Sequence, residues 1–168
     1  MPLFRRKQHR PATLTAIYIA AHAGAPVQEM DSAQADSGAG LRGDRYAGKA
    51  GFWKATDACQ VTLISTDDLD RAARGQGAQT RDRLAHGQHR RNLVIDGLKT
   101  KQLEGKRFRI GTAVFAYDKP RPPCGYLDQI EGRGLCKALG RHAGVCIRVL
   151  TGGRLAVGDV VEIIENPD

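Results

Sequence analysis

The sequence predicts a mostly β protein with a few short helices, its strands closed into a barrel. Three observations carry that expectation. Strand candidates are short, numerous and rich in Val, Ile and Thr; helix signals occur in only three stretches; and the 20 glycines fall mainly between strands, where tight turns belong. Many short strands with few helical insertions are the pattern of a β-barrel.

The elements follow in order. TLTAIYIA, Thr13–Ala20, reads as the first strand, and Gln60–Ser65 as the second. Thr66 can cap a helix through TDDLDRAAR, with acidic residues at its start and Arg71 and Arg74 near its end, as the helix dipole favours. Asn92–Ile95, Arg107–Ile110 and Ala113–Tyr117 are further strands. A second helix follows Cys124 through YLDQI, and a third is LCKALGRH, ending near a glycine. Val145–Leu150 and Val160–Ile164 complete the set. LEGKRFRIGTAVF (103–115) aligns without gaps to LTGGRLAVGDVVE (150–162), each a turn, a short alternating strand and another turn. The stretch Gln28–Lys54 has little apolar periodicity and reads as a long loop, mobile over DSAQADSGAG and purposeful at GLRGDRYAG.

Composition bounds the function. At 168 residues, 41% hydrophobic and 26% charged, the chain suits one soluble domain, here 13–168 behind a basic tail at 1–12. No apolar run approaches the ~18–20 residues of a membrane helix. FRRKQHR followed by ATLTAIYIAAHAGA imitates a signal peptide, but Thr15, Tyr18 and His22 interrupt the apolar part, and a strand is the preferred reading. The net charge of +8 favours an anionic partner. Nucleic acid fits poorly, because one Trp, four Phe and four Tyr show no basic–aromatic alternation.

Cys59, Cys124, Cys136 and Cys146 form no C-x-x-C pair, which argues against a zinc ribbon or a thioredoxin-like motif. Four scattered cysteines in a chain able to build its own core read as reduced thiols in the cytoplasm. Cys59, Cys136 and Cys146 sit in apolar or helical contexts and read as core packing. Cys124 differs. In RPPCGYL it stands behind two prolines, which fix φ and donate nothing, so it lies on a stiff loop. Lys119 and Arg121 nearby favour a thiolate, as a nucleophile or a metal ligand requires. One thiolate is too little for zinc but enough for a metal already held by a cofactor's own sulfurs. His142 is the nearest histidine after it, and nothing in the sequence places the two side by side.

Two further groups of residues qualify. Arg90 and Arg91 before a strand can offer guanidinium forks to phosphate or carboxylate, and Asn92 both donates and accepts. Taken by itself, HRR is better accounted for as a solvated strand entrance. Asp44 and Arg45, framed by Gly43 and Gly48, are either ligand contacts or an internal ion pair.

These pieces, in the order GLRGDRYAG, QVTLIS, RRNLVIDGL, LEGKRFRIG, RPPCGYL and GLCKALGRHAGVCIRVLTGGRLAVGD, resemble the MOSC domain family in its short stand-alone form, from about Thr13 to Ile164. The resemblance implies a closed β-barrel of the MOSC, pyruvate-kinase-barrel-like type that binds molybdenum cofactor. It implies Cys124 as protein ligand to molybdenum and catalytic residue. Arg90, Arg91 and Asn92 would hold the pterin or its phosphate, with Asp44, Arg45 and His142 near the cofactor. Pyridoxal phosphate binding is a further family-level possibility. Larger family members carry an additional N-terminal domain, for which this length leaves no room.

The activity implied is reduction of N-hydroxylated substrates, such as hydroxylamines and amidoximes. Electrons would come from an external reductase, since no flavin, haem or iron–sulfur motif is present. The expected protein is cytoplasmic, off the membrane, and a monomer or homodimer. A non-catalytic cofactor carrier or sulfur-transfer module is the alternative, and a basic barrel binding nucleic acid a further one.

Overall fold

The computed structural model describes residues 10–50 and 59–164. Most of the basic tail, and Trp53, lie outside the described residues. The chain runs β1 (Thr13–Ile19), β2 (Gln28–Met30), β3 (Ser32–Asp36), β4 (Gly40–Leu41), β5 (Val61–Ser65), α1 (Thr66–Ala73), α2 (Ala78–Ala85) and β6 (Leu93–Asp96). A 3-10 turn at Thr100–Leu103 leads to β7 (Arg107–Ile110), β8 (Ala113–Pro120), α3 (Gly125–Glu131), α4 (Leu135–Leu139), β9 (Val145–Thr151), β10 (Gly153–Ala156) and β11 (Val161–Ile164). Among the described residues the protein is mostly β with four short helices.

Eight strands form one sheet in the order β11-β7-β8-β9-β5-β6-β1-β2, and β10-β3-β4 form a second. Neither sheet closes, which corrects the expected closed barrel. The reason lies in β1. It pairs with β6 along Thr13–Ile17 and with β2 along Ile17–Ile19, so only its first residues are left for β11. There the contact is one isolated bridge, Thr13 to Val160, flanked by bonds from the Leu14 N–H to the Asp159 carbonyl (2.9 Å) and from the Val161 N–H to the Ala12 carbonyl (2.8 Å).

Strand alternation divides the core in two. Ile17, Leu63 and Leu93 face one cluster with Phe108, Phe115, Ile147 and Leu155. Their neighbours Tyr18, Ile64 and Val94 face another, covered by Leu84, Leu127, Leu135 and Leu139 of the helices. With both faces covered, every residue of β5 is buried, and β5 pairs in parallel with β6 through the α1–α2 crossover.

Three expectations are revised. The stretch 31–40 is not a mobile loop: β3 pairs with β10 over four residues, and backbone bonding overrides a composition of small polar side chains. Helix α2, unexpected, buries only Leu84, too little apolar signal to be read. Cys59 and Cys146 are joined in a disulfide with Cα atoms 5.6 Å apart, so the expected four reduced thiols become two, Cys124 and Cys136. The thiol argument for a cytoplasmic location loses its basis. Among the described residues no helix is long and apolar enough to cross a membrane.

Candidate functional site

The site begins with the turn after β4. The Asp44 carboxylate accepts the Ala20 N–H at 3.1 Å, the Tyr46 N–H at 3.2 Å and Arg45 Nη1 at 3.1 Å, while the Arg45 N–H returns to the Ala20 carbonyl at 2.8 Å. Asp44 thus fastens its loop to the end of β1 and fixes the Arg45 side chain. Arg45 Nη2 also donates to the Arg90 carbonyl at 3.0 Å. Both residues are buried.

The segment before β6 supplies the second group. Arg90 holds φ at 61°, unusual for a residue with a Cβ. Its Nη1 donates to the Ala25 carbonyl (2.7 Å) and to Glu131 Oε1 (2.9 Å). Arg91 points the other way along the chain's path, with Nε on the Ala143 carbonyl (2.6 Å) and Nη2 on the Arg121 carbonyl (3.3 Å). Burial lowers the Arg91 pKa to about 10, with Arg121 and Arg45 adding to the fall and Tyr46 and Cys124 opposing it. Its guanidinium stays charged at neutral pH, buried among carbonyls and beside other cations.

Cys124 caps the N-terminus of α3 in an extended conformation (φ −123°, ψ 160°), where the prolines deliver it. Arg121 is anchored by its N–H to the Gly144 carbonyl at 2.9 Å. Gly144 has φ 87°, and a Cβ there would collide with the Leu63 carbonyl, so this close strand approach requires glycine.

These segments converge on a cavity of about 440 Å³. Arg45, Arg90, Arg91, Lys119, Arg121 and Cys124 are among the residues that line it, and the prolines, Leu127 and Ile130 add apolar surface. Among the described residues no acidic side chain lines it. Of the residues singled out in the sequence, Cys124, Arg45, Arg90 and Arg91 meet here.

Asp44, Asn92 and His142 do not line the cavity. Asp44 lies behind Arg45. Asn92 is fully buried: Oδ1 accepts the Thr62 N–H and hydroxyl, both at 3.0 Å, and Nδ2 donates to the Tyr18 carbonyl at 3.0 Å. It clamps β1, β5 and β6 together. His142 faces Asp68 of α1 instead, Nδ1 to Oδ1 at 3.7 Å.

Sequence reasoning missed Tyr46, whose ring lies beneath the Arg45 guanidinium with Cζ 4.5 Å from the ring centroid. Its place inside GDRYAG was the available signal. It also missed His89, which accepts the Arg91 N–H at Nδ1 (2.9 Å) and is buried edge-on to Tyr18. Burial, with Arg91 nearby, lowers the His89 pKa to about 3. Glu131, the partner of Arg90, carried no sequence signal at all.

Comparison with solved structures supports the fold. The chain superposes on the YuaD protein from Bacillus subtilis with a TM-score of 0.70 at 17% identity, covering 92% of this chain and 96% of that one. YiiM from Escherichia coli gives 0.64 at 18% identity, covering 92% and 71%, and YiiM from Geobacillus stearothermophilus 0.64 at 17%, covering 92% and 76%. No curated protein matches the sequence. The family model of the MOSC domain matches residues 51–162, two thirds of the chain and nearly every element from β5 onward. The protein belongs to the MOSC domain family.

Proposed function

We propose that the protein binds molybdenum cofactor in this cavity, with Cys124 as the protein ligand to the metal, and reduces N-hydroxylated compounds. The observation that supports this most directly is one thiol opening into a cavity whose wall carries several guanidiniums and, among the described residues, no acidic side chain. Such a donor set suits an anionic group that brings most of its metal's ligands with it. Among the described residues no three His, Cys, Asp or Glu side chains cluster to hold a bare metal ion.

Arg91 is the better placed cation, because Glu131 already neutralises Arg90 and Asp44 already neutralises Arg45. Fixed in advance by the Ala143 and Arg121 carbonyls, it can meet the charge of a phosphate or dithiolene without reorganising. Leu127 and Ile130 of α3 add apolar surface to the same cavity. When bound, the cofactor supplies the two-electron chemistry that cleaves an N–O bond, and the protein binds and orients. The electrons enter from an external reductase.

The test is molybdenum and pterin content after expression in a cofactor-producing host, for wild type beside Cys124→Ala. Near-stoichiometric metal in wild type, lost in the variant, is the expected result. Pterin retained equally in both, without metal, would favour a cofactor carrier. Absence of both from both proteins would overturn the proposal.

A further inference from the structure

Resting on the reading above, we infer that Tyr46 donates a proton to the N-hydroxyl group of the substrate. Tyr46 lines the same cavity as Cys124. Its ring is gripped on two sides, with Arg45 Cζ 4.5 Å and Arg121 Cζ 5.9 Å from the ring centroid. Arg45 itself is immobilised by Asp44 and the Arg90 carbonyl, and the Tyr46 N–H is held by Asp44 Oδ2 at 3.2 Å. The phenol is therefore a positioned group.

Its hydrogen bonding leaves the proton available. Arg121 Nη2 donates to the Tyr46 oxygen at 3.2 Å, so the oxygen acts here as an acceptor. A phenol has one O–H to give and further lone pairs to accept with. Among the described residues no hydrogen bond runs from the Tyr46 O–H to an acceptor, and the hydroxyl can turn its proton toward the cavity. Arg121 is already in place to face the oxygen while its proton is away, with Arg45 over the ring, an arrangement that needs no reorganisation during reaction. The guanidiniums on the wall are too weakly acidic for this task, and Cys124 is assigned to the metal. Tyr46 is preferred to Lys119 and Tyr126, which also line the cavity, because Arg121 bonds its oxygen.

The chemistry balances as R–NHOH + 2 e⁻ + 2 H⁺ → R–NH₂ + H₂O. The N–O bond breaks, the electrons come from the reduced molybdenum cofactor as replenished by the external reductase, and two protons are consumed. Tyr46 supplies one and recovers it from water; solvent supplies the other.

Tyr46→Phe keeps the ring between the guanidiniums and removes only the hydroxyl. With phenylhydroxylamine as the probe, the expected variant has wild-type molybdenum and pterin content and a kcat lower by about 10²–10⁴-fold. In the cofactor-free protein, NMR titration with the same probe should show binding about 2–10-fold weaker, the loss of one hydrogen bond. An unchanged kcat in the loaded variant overturns the inference. So does loss of molybdenum from it, which would make Tyr46 a cofactor contact. Should wild type itself hold no molybdenum, the functional proposal fails separately, and the cofactor-free titration decides the contact: weaker binding by the variant supports it, equal binding removes it.

Discussion

Arg90 Nη1 and Glu131 Oε1 lie 2.9 Å apart across 41 residues of sequence, in a pair whose side chains are only 5% and 12% exposed. The contact ties the C-terminal end of α3 to the turn before β6, and so holds the helix whose N-terminus carries Cys124 against the arginine segment. It also explains the left-handed backbone at Arg90, since the surroundings over-determine that conformation.

Breaking this pair from one side should be costly, because the charge left behind stays buried. Glu131→Gln is expected to lower stability by about 3 kcal/mol, as buried pairs do when one partner is removed. A urea unfolding midpoint compared with wild type measures it. A change within a few tenths of a kcal/mol would mean that the pair is solvated in solution.

His89 predicts a pH dependence. Its folded pKa of about 3 lies below the unfolded 6.5, so between those values the unfolded chain binds the extra proton. The stabilisation is fully present above pH 6.5 and is lost as pH falls toward 3, by up to about 1.4 kcal/mol per pH unit. His89→Asn keeps an acceptor for the Arg91 N–H but does not titrate. Denaturant unfolding at pH 7, 6 and 5 should show a flatter profile for the variant, and parallel profiles would refute the assignment.

Asn92 should behave as a clamp rather than a ligand. Asn92→Ala strands the buried Thr62 N–H and the Tyr18 carbonyl and is expected to cost at least about 2 kcal/mol, whether or not cofactor is bound. If the variant instead unfolds like wild type but fails to retain pterin, Asn92 contacts the cofactor after all.

The disulfide gives a count. Alkylation of the denatured, unreduced protein followed by mass spectrometry should label two cysteines, Cys124 and Cys136, and four only after reduction. Closing a loop of 87 residues, the bond should contribute roughly 3–5 kcal/mol. Four labels without reductant would show the thiols to be unpaired.

Much of the architecture was legible one stretch at a time. Each strand expected from β-branched runs exists within a residue or so, except that β8 runs three residues past Tyr117 to Pro120. TDDLDRAAR forms its helix, although Ser65 rather than Thr66 provides the cap, its side chain accepting the Asp68 N–H at 3.1 Å. Such signals are local. Strands β2, β3 and β4 were not legible, because they are short, small or polar in side chain and held by backbone pairing, β2 to β1, β4 to β3, and β3 to the distant β10, with Ala33 and Ala35 opposite Leu155 and Gly153. Closure was misjudged for a related reason: no periodicity reports which edge of β1 is already taken.

The site divides in the same way. Residue type and immediate neighbours set the chemistry available, a thiol on a proline-stiffened loop and arginines beside Asp44 and before β6. Which of them share a cavity was set by the fold. It turned Asn92 inward as a strand clamp, set His142 against Asp68, matched Arg90 to Glu131 and laid Tyr46 between two guanidiniums. Those outcomes depend on where side chains from distant segments find hydrogen-bond partners and burial together, and no spacing along one chain encodes that.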